Sequence, residues 1–438
     1  MKELRGVFAR PRAKAGVLVI GGNLVGAGAA FAAAIVAARV LPLDQFAAFG
    51  VGLAVNSLAV QFADLGLGIV AVAETAESTS RVAARAKLKA LALHRIRTAL
   101  LVGALITAVV MLVPSLAPYR IPAVIGAASV VFGSLTFFCV WSLQGQHEFL
   151  SAGAIQGLQG ILRFALVAAC AVGGLESVAM MVGYAVVAPA IAALVGAWAL
   201  FIRHPSAPAG DVSISQRAAG IDISRRRLMA TIGIFSALVI NGDVLLLTIL
   251  ADAHDVALYT AAWRFSSGVL LANTAIASAL LPFIVSAPQA WLEAKQLLRL
   301  GLLVSAGWFI LLPLMAVIGP ILLGSIGDDA VEPLIVLLVA FSIDGFYFVL
   351  FQIYLRVRRE RLLLAAVACE FIIMVVVTIL LRDDGFLAPA YGQLAARVAV
   401  TVLVVSPIVL ATLGRCDWFR EDKQINKPIP PESPLVPS

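Results

Sequence analysis

Residues 241–282 read NGDVLLLTILADAHDVALYTAAWRFSSGVLLANTAIASALLP. Two apolar segments flank an acidic turn, Asp252 to Asp255, and each carries one charge in an otherwise uncharged run, Asp243 going out and Arg264 coming back. They stand 11 and 10 positions from His254 in the turn. At a helical rise of about 1.5 Å per residue both lie roughly 15 Å from one membrane face, near the middle of a hydrocarbon core about 30 Å thick. A charge at that depth costs about 2.5–3.5 kcal/mol on insertion scales. The two residues therefore form either an interhelical ion pair or part of a site.

Composition extends this reading to the whole chain. Hydrophobic residues make up 61% of the 438 and charged residues 13%, against about 45–50% apolar residues in soluble domains. Apolar runs long enough to span recur near residues 15–38, 45–66, 98–117, 121–143, 150–173 and 177–202. A second set follows near 228–251, 256–286, 300–323, 331–355, 361–381 and 386–414. The first run is too long for a signal peptide and is read as a retained span. The sequence thus predicts an all-α polytopic membrane protein with twelve transmembrane helices in two six-helix lobes. Its expected organisation is a basic cytoplasmic N-terminus 1–14, an N-lobe 15–202, a cytoplasmic linker 203–227, a C-lobe 228–414 and a proline-rich, unfolded cytoplasmic tail 415–438.

The net charge of +7 raises nucleic acid as a partner, but its distribution argues for topology. On this layout 26 of the 32 Lys and Arg fall on one side: in the N-terminus, 74–97, the linker, Lys295 and Arg299, Arg356 to Arg361, and the tail. The opposite loops hold Arg39, Arg120 and Arg382 among acids such as Asp44, Glu176, Asp328 and Asp383. This is a positive-inside pattern with both termini cytoplasmic, which requires an even number of spans. The dispersed cysteines and histidines support neither a disulfide framework nor a metal site. No phosphate-binding loop is present, and the expected cofactor set is empty. The outer loops do not exceed about ten residues, which leaves little room for an extracytoplasmic enzyme domain.

The halves look related. LPLDQFAAFG at 41–50 corresponds to ADAHDVALYT at 251–260, offset by 210, and even-numbered halves make the repeats parallel. Arg39-Val40-Leu41-Pro42, Phe46-Ala47-Ala48-Phe49 and Asp64-Leu65-Gly66-Leu67-Gly68 resemble the first hairpin of bacterial oligosaccharide-lipid flippases. These belong to the multidrug/oligosaccharidyl-lipid/polysaccharide exporter superfamily. Ser142 to Gln146 and Ile155 to Leu158 are similar to that family's fourth and fifth helices, and Asp243 to Leu247, Ala257 to Arg264 and Leu281-Pro282 to its seventh and eighth. Ala48 and Ala257 stand where the family's turn-to-helix motif usually has glycine.

Several charges and amides keep a helical period inside the spans. Gln156, Gln159 and Arg163 lie at i, i+3 and i+7; Gln393, Arg397 and Thr401 at i, i+4 and i+8; Ser57, Gln61 and Asp64 form a third stripe. Glu370 and Arg397 share a depth, like Asp243 and Arg264, and Asp344 stands alone in the middle of its span, with Tyr347 nearby. The bland reading makes the matched charges structural ion pairs. The functional reading makes Arg264 and Arg163, with Gln156, Gln159 and Asp64, a lining for an anionic headgroup, because arginine stays ionised and its fork matches phosphate oxygens. Asp243 would then neutralise Arg264 when unloaded, and Asp344, Glu370 and Arg397 would be ion-paired or coupled to a proton or cation. The segment from Arg81 to Arg97 reads as an interfacial helix drawn to anionic lipid. Gly22-Asn23-Leu24-Val25-Gly26 is a small-residue packing motif.

The resemblance implies a flippase that carries a lipid-linked oligosaccharide, a glycan on a polyprenyl diphosphate, from the cytoplasmic to the outer leaflet of a bacterial inner membrane. Such a protein serves lipopolysaccharide or exopolysaccharide synthesis, is driven by an ion gradient or the membrane potential, and works among membrane lipids and other polysaccharide assembly proteins. The alternatives are a cation-coupled exporter of small amphipathic molecules from the same superfamily, or a membrane polysaccharide polymerase or glycosyltransferase.

Overall fold

Leucine, alanine and valine dominate every long segment, and in a bilayer a backbone that cannot reach water must satisfy its own hydrogen bonds. Helix is the result throughout. The computed structural model describes residues 11–64, 68, 81–146, 148–202, 223–286, 290–356 and 359–412, and no strand occurs among them. We number the helices α1 (Pro11–Val40), α2 (Leu43–Asp64), α3 (Arg81–Leu112), α4 (Pro114–Gly145), α5 (Phe149–Val172), α6 (Ser177–Phe201), α7 (Ile223–Leu250), α8 (Ala253–Ser286), α9 (Ala290–Leu323), α10 (Val331–Arg356), α11 (Glu360–Leu380) and α12 (Leu387–Thr412). α4 opens with a 3-10 turn at Pro114–Tyr119, and α6 contains a π-helical segment at Val182–Val187. Among the described residues, ten helices are long and apolar enough to cross a membrane; α8 and α10 are outside that set.

The basic segment before the third span is not a separate interfacial helix. From Arg81 onward it is the first part of α3, continuous with the apolar part. Likewise Arg225, Arg226 and Arg227, expected in the linker, belong to the first turns of α7. The other linker residues, 203–222, the N-terminal residues 1–10 and the tail 415–438 lie outside the described residues.

Helices α1 to α6 pack chiefly on one another, as do α7 to α12, and the two groups meet where α1 and α2 face α7 and α8. The turns α1–α2 and α7–α8 stand 210 residues apart, Val40 and Leu43 matching Leu250 and Ala253. At the end of the molecule bearing these turns, one core serves both groups. It joins Ala37, Phe46 and Phe49 to Leu247, Tyr259, Phe265, Leu323 and Leu334. Gly50 of α2 lies directly on Thr260 of α8, and Arg39 donates from Nε to the carbonyl of Leu322 at 2.7 Å, with Nη2 directed to that of Ile321. Gly324, at a positive φ of 71°, lets the chain turn away beside Arg39.

At the opposite end, which carries the start of α3 and the α10–α11 turn, the cores are separate. Leu88, Leu143, Ala152 and Leu200 form one within the first group; Ile232, Val239, Leu363 and Val367 form one within the second. Among the described residues, no core cluster bridges the groups there. A shared core therefore closes the first end, while among the described residues each group has its own core at the second.

Inside the first group, α1 and α5 approach backbone to backbone. A side-chain carbon on Gly22 would overlap the Gly153 carbonyl, one on Gly26 would lie 2.5 Å from the Gln156 carbonyl oxygen, and one on Gly160 would strike Gly26. The packing motif in the first span therefore closes an intramolecular helix pair. Gly26→Val is expected to force these helices apart at a cost of about 1–3 kcal/mol, the usual range for overpacking. Gly28→Val is the control, since a carbon there meets nothing within 4 Å. Thermal unfolding in detergent should separate the two variants, and equal melting temperatures would refute the seam.

Candidate functional site

Gln156, Gln159 and Arg163 follow one another at helical spacing along α5. Gln156 and Arg163 are half-buried and Gln159 is buried, one above another along the helix. Arg163 Nε donates to the carbonyl of Tyr184 at 3.3 Å, and its guanidinium carbon lies 4.5 Å from the centre of the Tyr184 ring. A ring face attracts a cation through its quadrupole, by about 0.5–1 kcal/mol where exposed and more where dry. Tyr184 belongs to the π-helical segment of α6, a local widening that shifts the register of side chains. Its ring meets Phe49 of α2 edge-on, at 6.0 Å and 85°.

Arg264 comes from the other group. It is half-buried on α8, with its guanidinium carbon 4.9 Å from the Trp263 ring centre and an Nε that has no hydrogen-bond acceptor. Tyr184, Asp243 and Arg163 lie within its electrostatic reach. The adjacent Phe265 meets Phe31 of α1 edge-on at 5.6 Å, which fixes this level as the seam between the two groups. Two guanidinium groups, one from each group, thus address the same region. Among the described residues neither is ion-paired to a carboxylate, and both keep some exposed surface.

The expected Asp243–Arg264 ion pair is not formed. Asp243 is fully buried and turned toward α12, where Gln393 Nε2 donates to it at 2.8 Å; the Tyr259 hydroxyl and, at 2.7 Å, the Val244 amide donate as well. Depth matching located the two residues at one level but carries no information about direction around the helix axis. The second matched pair does form. Arg397 Nη1 contacts Glu370 Oε1 and lies 3.3 Å from Asp344 Oδ1, so one guanidinium serves two carboxylates. All three are buried, and Arg397 also stands 5.8 Å from the Phe341 ring centre.

Asp64 is not brought to the arginine pair. As the last residue of α2 it pairs with Arg95, whose Nε donates to Ser134 Oγ at 2.7 Å. Arg95 belongs to the basic segment placed on the cytoplasmic side, yet it is only 1% exposed. Its neighbours gave the signal: Leu88, Ala92 and Ala99 share a helical face with it, and Leu88 and Ala99 are completely buried. Tyr184 and Tyr259 carried no comparable mark, because a tyrosine in an apolar run reads as packing.

Residues 13–287 match the polysaccharide biosynthesis protein family. The chain belongs to that family. A search of curated protein sequences finds no significant match. Among solved structures, an inward-facing multidrug resistance MATE family transporter of the MOP superfamily is similar with a TM-score of 0.64 and 15% identity, over 92% of this chain and 99% of that one. An outward-facing MATE family structure gives 0.63 and 16%, over 93% and 97%. A MOP superfamily transporter from Pyrococcus furiosus gives 0.65 and 16%, over 93% and 96%; it is described as having a binding pocket of reverse polarity that suggests a different function. At such identities the likeness concerns the fold.

The two kinds of buried arginine differ in what their removal leaves behind. Arg397→Met strands Asp344 and Glu370 and is expected to cost about 3–5 kcal/mol. Arg163→Met strands no carboxylate and loses mainly its ring contact, about 1 kcal/mol. Unfolding in detergent measures both; equal losses would contradict the assignment.

Proposed function

We propose that this protein is a non-enzymatic flippase. It moves an oligosaccharide on a polyprenyl diphosphate carrier from the cytoplasmic to the outer leaflet of the bacterial inner membrane by alternating access. The reading takes α1–α12 as twelve spans in two lobes, with 203–227 as the cytoplasmic linker and the tail cytoplasmic. The closed end then faces outward and the opposite end faces the cytoplasm.

The observation that carries the proposal is the arginine pair. Arg264 and Arg163 stand about 17 and 14 Å from the outer ends of α8 and α5 at 1.5 Å per residue, close to mid-bilayer. Placing two cations there without carboxylate partners is costly unless an anion repays it. A diphosphate offers oxygens on several sides and matches two planar forks. Gln156 and Gln159, on the same face of α5, supply amides for the headgroup or its first sugar. Family membership supports a glycan as cargo, and neither a cofactor nor nucleotide hydrolysis is required. An ion gradient or the membrane potential supplies the drive. The shared guanidinium of Arg397, with Asp344 and Glu370, is the candidate coupling group, and Asp64 with Arg95 holds the cytoplasmic end of α2. Membrane lipids and other polysaccharide assembly proteins are the expected partners.

The second reading, export of small amphipathic molecules, draws on the MATE-like fold. Deletion discriminates the two: loss of surface polysaccharide with unchanged drug sensitivity supports the flippase, and the reverse supports the exporter. Within the flippase reading, Arg264→Ala and Arg163→Ala are expected to fold normally and to lower glycan export at least tenfold, the loss of about 1.4 kcal/mol or more. Lysine at either position should restore part of the activity, because charge returns without the fork. Full export by both folded alanine variants would remove the headgroup site.

A further inference from the structure

On the outside of the second group, α10, α11 and α12 leave a groove of about 280 Å³. Its floor is Tyr354, Leu363, Ala366 and Val404, all buried, and its rim includes the exposed Ala365 and Leu403. Pro407 shapes one wall: it cannot donate to the Leu403 carbonyl, and the Tyr354 hydroxyl donates at 2.7 Å to the neighbouring carbonyl of Val404. The groove opens toward hydrocarbon. Ala365 continues the helical stripe of Ile372, Val376 and Ile379, which are 58, 48 and 46% exposed and uniformly apolar.

The level of the groove is fixed by three helix ends. α10 ends at Arg356, α11 begins at Glu360 and α12 ends at Thr412, so the lining residues occupy the turns next to one membrane face. At that face Arg359 is half-buried and Arg361 exposed, immediately before Leu362 and Leu363 of the groove. From Arg361 to Cys369 in the groove is about 12 Å along the helix. The arrangement pairs an apolar slot with a cationic rim, the complement of an anionic headgroup carrying a chain.

We propose that this groove binds one acyl chain of an anionic phospholipid, with its phosphate on Arg361. The site is independent of the arginine pair between the lobes and of what the protein transports. Shape supplies the chain contacts and charge supplies the headgroup preference, since a basic side chain near an anionic surface shifts binding about fivefold.

The purified full-length protein, exchanged into detergent with equimolar phosphatidylglycerol and phosphatidylcholine, is examined by native mass spectrometry. Wild type should retain phosphatidylglycerol preferentially. Arg361→Gln should lower that retention about fivefold, and Ala365→Trp, which covers the mouth from an exposed position, should abolish it. Ile379→Trp, on the same lipid-facing stripe at the far end of α11, should leave it unchanged. Equal retention of the two lipids, or retention indifferent to Ala365→Trp, overturns the site. Displacement of phosphatidylglycerol by polyprenyl phosphate in wild type but not in Ala365→Trp would assign the groove to a carrier chain and refute the phospholipid.

Discussion

A guanidinium taken out of water has to recover its hydration from the protein, and the ways in which this molecule does so divide its structure. Arg95 recovers it from Asp64 and Ser134, and Arg397 from Glu370 and Asp344. Arg163 has a carbonyl and a tyrosine ring, and Arg264 a tryptophan ring. The first two are closed internally and hold helices together within one group. The latter two keep electrostatic demand unspent, and they do so where the groups meet. A buried carboxylate pair is weak evidence for function because it serves packing equally well. On the proposed reading, a cation with none among the described residues takes an external partner.

The seam between the groups is anchored at one end. One core crosses the interface at the closed end, anchored by Arg39 on the last carbonyls of α9 and by Gly50 against Thr260. At the other end, among the described residues, each group completes its own core. The glycine contacts between α1 and α5 reinforce this, since interlocked backbones move together.

Helix positions were legible in the sequence because span length and apolar content are set by the bilayer rather than by tertiary detail. The matching turns at Val40–Leu43 and Leu250–Ala253 were legible for the same reason. Glu370 with Arg397 could be paired by depth, because rise per residue is constant along a helix. Asp243 could not be assigned in this way. Its partners, Tyr259 and Gln393, depend on which way each helix faces, and a uniformly apolar span leaves that angle unmarked. Arg95 failed for another reason: a nearby run of basic residues outweighed the buried periodicity of Leu88, Ala92 and Ala99. Tyr184 depends on a π-helical register that no local composition announces.

Asp243 lies between the two classes of arginine. It lies in the field of both Arg264 and Arg397, and its ligand Gln393 stands one helical turn before Arg397 on α12. Tyr259, its other ligand, stands on α8 five residues before Arg264. An anion arriving beside Arg264 adds negative charge near Asp243, and in a low-dielectric interior that repulsion is poorly screened. The carboxylate cannot turn away without breaking bonds to two helices at once. On the proposed reading, strain at the arginine pair would reach α8 and α12 together, and through Arg397 the carboxylates on α10 and α11. On the proposed reading this route ties headgroup arrival to the buried acids. It needs no direct contact between Asp243 and Arg264, only that both remain in the same poorly screened interior.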